Sequence, residues 1–263
     1  MYDFSYVKPA NLADAVKALA AEDSKAMAGG MTLIPVLKQR LNKPSVVVDL
    51  ARVGMTGITV SDTAVVIGAM TTHAAVAAST EVKRAIPGLF NLAGMIGDKE
   101  VRHRGTIGGS LANNDPAADY PAAVLALGAT IKTDKRTIAA EEFFQGMFTT
   151  ALQPGEIITS VSFPIPARAG YEKFRNPASR YAIVGVFVAN GPAGVRVAVT
   201  GAGQGGVFRH KAFEAALTKT WSAKSLDGIS TPADGLNGDI HASAEYRAHL
   251  IGVMAKRAVV ATG

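Results

Sequence analysis

The chain has 263 residues, a formal net charge of +6 and no cysteine. That length exceeds one ordinary domain and predicts two or three modules around adequate cores. The missing cysteine excludes disulfides, a cysteine nucleophile and a cysteine-ligated iron–sulfur cluster on this chain. Lysine and arginine are scattered, with no basic stripe interleaved with aromatics, so nucleic acid is not an expected partner.

Residues 11–22, "NLADAVKALAAE", place Leu12, Ala15, Val16, Leu19 and Ala20 on one helical face, with Asn11 as cap and Asp14 in the first turn. "KAMAGG" reads as a short strand running into a glycine turn. "TLIPVLKQRLN" reads as a helix that tolerates Pro35 in its first turn. "SVVVDL" (45–50) is a β-branched run suited to a buried strand. The first fifty residues therefore form a small α/β unit. "GITVSDTAVVIGAMTT" predicts two strands around a Ser61-Asp62 turn, and residues 73–97 are helical in pattern with a break at Pro87-Gly88. A glycine-rich loop follows, then "YPAAVLALGATIKT" as a short helix entering a strand. "ITSVSFPIP" (158–166) is a strand ending in prolines and a domain boundary. Beyond Tyr171, "IVGVFVANG" and "VRVAVTGAG" predict paired strands, covered by helices in "HKAFEAAL" and "AEYRAHLIGVMAKRAVVA". The last helix carries Tyr246, Leu250, Val253, Met254 and Ala258 roughly in register. No apolar run reaches the roughly 18 residues of a membrane span. The N-terminus lacks the basic-then-apolar order of a secretory signal, so a soluble cytoplasmic protein is expected.

Two small-residue segments carry chemistry. A glycine turn entering a helix lets backbone N–H groups approach an anion without β-carbons in the way. Ala28, Gly29, Gly30, Met31 and Thr32 offer this, with the Thr32 hydroxyl as donor or helix cap. The same residues also suit an ordinary strand-to-helix turn in which Gly30 needs positive φ. The second segment, Thr106, Ile107, Gly108, Gly109 and Ser110, adds two hydroxyls and is followed by Asn113, Asn114, Asp115 and Asp119. It is too polar to be core. Two such loops converging on one elongated ligand fit a dinucleotide. Neither ends in the Gly-Lys-Ser/Thr of a nucleotide-triphosphate loop. A third match, "GAGQGG" at Gly201 to Gly206, has the G-x-G-x-x-G spacing of a nicotinamide site, but no second strand with an acidic tip follows it.

"AGGMTLIPVLKQR" together with "TIGGSLANNDPAADYPA" resembles the FAD-binding medium subunit of the molybdenum hydroxylases, the carbon monoxide dehydrogenase medium-subunit and bacterial xanthine dehydrogenase flavoprotein family. The resemblance runs nearly end to end through "FSYVKPANLADAVKAL", "VIGAMTTHAAV", "KEVRHRGTIGG" and "GYEKFRNPASRYAIVGV". It implies an α+β fold: a two-subdomain FAD-binding part of the vanillyl-alcohol oxidase (PCMH) type over residues 1–167, with subdomains about 1–54 and 55–167, and a smaller α+β C-terminal domain over 168–263. It implies non-covalent FAD, with Ala28 to Thr32 on one side of the pyrophosphate and Thr106 to Ser110 on the other. Asp119 matches the family aspartate near the ribityl chain, Lys173 a lysine near the flavin edge, and Tyr181 a position packing on the isoalloxazine. Met31 stands where relatives often have His or Gln, Thr32 where Ser is usual, and Ser110 where Asn is common. His73, conceivable as a covalent anchor, reads better as structural. No residue here need act as a catalytic acid or base. The resemblance further implies a molybdopterin-binding large subunit and an iron–sulfur small subunit as partners in a dimer of heterotrimers, with FAD passing electrons to an external acceptor. A self-sufficient flavin oxidoreductase, a nicotinamide enzyme using Gly201 to Gly206, and a flavin-free interaction subunit stay open alternatives.

Overall fold

A computed structural model describes all 263 residues. The first fifty residues form the expected α/β unit, with one strand more than expected, Ser5–Val7. Strands Ser5–Val7, Val46–Asp49 and Lys25–Met27 lie side by side in that order, all parallel, with helices Leu12–Leu19 and Leu33–Lys38 as crossovers. Asn11 caps the first helix by accepting the Asp14 N–H at 2.9 Å. Val47 and Val48 are buried because a parallel strand sees apolar neighbours on both faces.

The second sheet is antiparallel. Ile58–Val60 and Ala64–Gly68 pair around the Ser61-Asp62 turn, and Ile158–Pro164 inserts between Ala64–Gly68 and Thr130–Thr133. The chain thus leaves this sheet at Gly68, re-enters it with Thr130–Thr133 and the edge strand Thr137–Ala139, and fills its centre last with Ile158–Pro164. Between Gly68 and Thr130 lie helices. Residues 73–97 break into His73–Ala78, Thr80–Ala85 and Pro87–Gly94. The extra break is at Ser79, whose hydroxyl accepts the Val82 N–H and caps a new helix. Pro87 does not interrupt a helix but starts one, at the position where its missing N–H costs nothing.

The third sheet is a meander of Arg168–Arg175, Ala182–Gly191, Gly194–Thr200 and Phe208–Arg209. Helix Ala244–Val260 packs on it. Its buried face is Arg247, Leu250, Ile251, Met254, Ala255, Ala258 and Val259, while Tyr246 is exposed. The face is turned from the expected one because Arg247 points inward, donating to the carbonyls of Ile183 (2.6 Å) and Gly201 (3.1 Å) and to Asp239. Hydropathy alone does not foresee a buried guanidinium with that many acceptors.

Gly201 to Gly206 forms a turn between two antiparallel strands, not a strand-to-helix phosphate loop. Its own side chains and neighbours fill it: Gln204 bonds the Gly235 and Leu236 carbonyls, and Asn237 bonds the Gly203 carbonyl. With no parallel strand beside it, the geometry of a nicotinamide site is absent. The main hydrophobic cluster combines residues of the second and third sheets: Ile67, Val161 and Phe163 pack in one body with Tyr171, Phe187 and Ala198.

Candidate functional site

A cleft of about 550 Å³ runs where the parallel sheet, the antiparallel sheet and the loop around 180 meet. Its size falls within the range of small-molecule and cofactor sites. Ala28, Gly29, Gly30, Met31 and Thr32 line one wall; Thr106, Gly108, Gly109 and Ser110 line the facing one; Asp119 and Tyr181 stand at an end. Ile107 is fully buried and faces away, and Lys173 lies off the wall.

The two segments touch. A β-carbon on Gly29 would overlap the Arg104 carbonyl, and one on Gly109 would come within 3.2 Å of the Ala28 methyl. Glycine at both positions is what lets the walls close to this distance. Gly30 has φ +75°, the left-handed region that glycine enters freely.

Their donors differ. The backbone N–H groups of Ala28, Gly29, Gly30, Met31 and Thr32 donate to no protein acceptor, and the Thr32 hydroxyl makes no bond, not even as the cap of the following helix. A run of idle amides and a hydroxyl on a cleft wall is a cradle for an anion. On the opposite side, Thr106 caps a helix, Ile107–Asn113, so the glycines sit in a helical first turn and not in a loop. The amides of Ile107 and Gly108 are taken by the Thr71 and Ala69 carbonyls, those of Gly109 and Ser110 by the Thr106 hydroxyl and carbonyl. That wall offers close approach at Gly108 and Gly109, together with the unbonded Ser110 hydroxyl and Asn113 amide. The segment is also less polar in its setting than its composition predicts: Ile107, Leu111, Asn114 and Asp119 are all buried. Asn114, in the left-handed region at φ +44°, spends its side chain on the Gly146 and Thr149 carbonyls, both at 2.8 Å.

At the end of the cleft Asp119 is held from behind. Lys173 Nζ lies 2.9 and 3.0 Å from its two oxygens, and the Tyr171 hydroxyl donates to the same carboxylate. Burial pushes the Asp119 carboxyl up, and the Lys173 charge and the Tyr171 hydrogen bond oppose that. The loop leading to Asp119 is braced by the third sheet as well: Gly201 N–H donates to the Pro116 carbonyl at 2.8 Å and the Thr200 hydroxyl to the Ala118 carbonyl at 2.6 Å. Tyr181 is half exposed at the mouth; its hydroxyl is pushed up by burial first, then by Asp115 and Asp119.

Several wall residues carry no sequence signal. Leu33, Val36, Leu50 and Ile157 make one end apolar, and Arg180, at φ +62°, stands near Tyr181. Asn113 and Asp115 were visible as the polar residues following the second segment, and His73, in "GAMTTHAAV", as a conceivable covalent anchor. No group of three or more His, Cys, Asp or Glu side chains is placed to hold a metal ion.

A parallel α/β lobe and an antiparallel lobe, joined along a cleft with an idle amide run, make an α+β architecture with a site for an elongated anionic ligand. Residues 2–166 match the family model described as the FAD binding domain in molybdopterin dehydrogenase, and the chain belongs to that family. It is 34% identical to the carbon monoxide dehydrogenase medium chain of Afipia carboxidovorans, over 97% of this chain and 95% of that one. It is 36% identical to the nicotine 6-hydroxylase medium subunit of Paenarthrobacter nicotinovorans, over 98% and 96%. Among solved structures, carbon monoxide dehydrogenase from Oligotropha carboxidovorans superposes with a TM-score of 0.89 at 33% identity, covering 99% of this chain and 97% of that one. The chain is thus a flavoprotein subunit of the molybdenum-containing oxidoreductase kind, and FAD is its cofactor.

Proposed function

We propose that this chain is the electron-transfer subunit of a heterotrimeric molybdenum hydroxylase, holding FAD non-covalently between the iron–sulfur clusters of one partner and an external acceptor. The observation that carries the reading is the idle amide run of Ala28 to Thr32, set against the close-packed Gly108–Gly109 wall. The bound cofactor supplies one- and two-electron redox chemistry. The chain supplies its place: Ala28 to Thr32 donate to the pyrophosphate, Gly108 and Gly109 let it approach, and Ser110 adds a hydroxyl. Asp119 accepts from ribityl hydroxyls and is kept in place by Lys173 and Tyr171, so Lys173 acts through Asp119. Tyr181 covers a ring face at the mouth and excludes water there. Residues 1–167 act as the FAD-binding part and 168–263 as its brace.

The partners in this reading are a molybdopterin-binding large subunit and an iron–sulfur small subunit, in a dimer of heterotrimers in the cytoplasm. The cluster ligands must come from another chain, since this one has no cysteine. No helix is long and apolar enough to cross a membrane. Relatives named for carbon monoxide and for nicotine share this chain's full length, which supports a substrate choice made on the large subunit.

Titration of the full-length chain with FAD, followed by flavin fluorescence, tests the reading. Saturable binding is expected, and Gly109→Val, whose side chain meets Ala28 and Thr106, weakens it by at least about tenfold, roughly the loss of one good contact. A chain that takes up no FAD, or a Gly109→Val variant that binds unchanged, overturns it.

A further inference from the structure

One buried side chain on the cleft wall has no task so far. His73 is 5% exposed, opens the helix His73–Ala78 and lines the cleft. Its backbone N–H donates to the Gly105 carbonyl at 2.9 Å, and Thr72 pairs with Thr106, so the ring is anchored at the base of the second glycine segment. Gly105 follows Arg104, whose carbonyl abuts Gly29. The imidazole therefore sits beneath the junction of the two walls.

Neither ring nitrogen has a hydrogen-bond partner in the protein. Nδ1 is fully enclosed and unpaired. Nε2, also without a partner but not fully enclosed, lies so close to Gly105 that a β-carbon there would come within 2.6 Å. Buried polar side chains are nearly always paired, and an unpaired one is costly. Here the only other enclosed side-chain atoms without a partner are the Tyr120 hydroxyl and Arg247 Nε, and the Tyr120 ring is 5.3 Å from the imidazole.

We propose that His73 is a cofactor-contacting residue whose Nε2–H donates a hydrogen bond to an oxygen of FAD where the two glycine walls meet. The inference rests on the FAD reading of the cleft. Burial, and then the charge of Arg102, hold His73 down at about 4. The ring is neutral at physiological pH, so it donates without adding charge. The Tyr120 phenol beside it is pushed up by burial and by Asp119 and stays protonated.

Equilibrium FAD titration of the full-length chain with His73→Phe, His73→Gln and His73→Asn tests this. Glutamine sets an amide N–H near the place of Nε2, asparagine near that of Nδ1, and phenylalanine sets none. Kd is expected to rise about tenfold for Phe and Asn and to stay within about threefold of wild type for Gln, with the far-ultraviolet circular dichroism of all the flavin-free chains superposing. Wild-type Kd should be flat from about pH 5.5 to 8, where an ordinary imidazole would titrate. A Phe variant that binds FAD like wild type, a Gln variant no better than Asn, or a step in Kd near pH 6.5 overturns the proposal. Should the Phe variant not fold, the Gln–Asn contrast decides alone. A wild-type chain that binds no FAD overturns the reading of the cleft and this inference with it; wild-type binding with unchanged variants overturns only the inference.

Discussion

His73 has a consequence for stability as well as for binding. Its folded-state pKa, about 4, lies below the 6.5 of an exposed imidazole. Between these values the unfolded chain binds a proton that the folded chain refuses, so stability rises with pH across the window. The contribution is fully present above pH 6.5 and is lost as pH falls toward 4. A difference of that size corresponds to roughly 3 kcal/mol. Urea midpoints measured on the flavin-free chain from pH 7 down to about 4.5 should fall more steeply for wild type than for His73→Gln. Equal slopes would mean that the ring is not held neutral. Glu156 behaves in the same direction but lower, since Arg136 at 2.9 Å and further hydrogen bonds hold it at about 2. Its share is lost only in stronger acid.

The strand Arg168–Arg175 and the start of the helix Tyr120–Leu127 act as a unit. Alternation along the strand sends Tyr171 and Lys173 to one face, and both meet the carboxylate of Asp119. Removing the cation alone leaves a buried carboxylate without its partner, a loss of roughly 3–5 kcal/mol. Lys173→Met should therefore lower the thermal midpoint sharply, and the double change Lys173→Met with Asp119→Leu should recover much of the stability while leaving FAD affinity poor. A double variant no more stable than the single one would show that the pair is not what the strand contributes. The first glycine segment works by a different local rule. The strand Lys25–Met27 ends before Ala28, and the helix Leu33–Lys38 begins after Thr32, so neither ladder nor helix claims the intervening amides.

Across the molecule, the third sheet is no appendage. Ala169, Tyr171, Phe187, Ala189 and Ala198 belong to the same hydrophobic cluster as the antiparallel sheet of the FAD-binding part. Cutting after residue 167 exposes that apolar surface and also removes Lys173, Thr200 and Gly201 from the Asp119 loop. A fragment of residues 1–167 should give no cooperative thermal transition and should not retain FAD on gel filtration. A fragment that melts cooperatively and stays yellow would show that the first two lobes are self-sufficient.

Much of this was legible in the chain itself. Alternation and β-branched runs marked the central strands but not Ser5–Val7 or Arg168–Arg175, whose mixed polar composition hides them; Asn11 marked a cap, and two small-residue segments marked the cleft walls, because turn chemistry and side-chain period act over a few residues. The rest needed distant partners. That Gly108 and Gly109 lend space while their amides are already taken depends on the carbonyls of Ala69 and Thr71, some forty residues away. That Lys173 stands behind Asp119 and not on the cleft wall depends on the register of a third sheet. That Arg247 is buried depends on carbonyls of Ile183 and Gly201. Local rules determined which segments could cradle an anion. Long-range packing alone decided which of their donors were left free to do so.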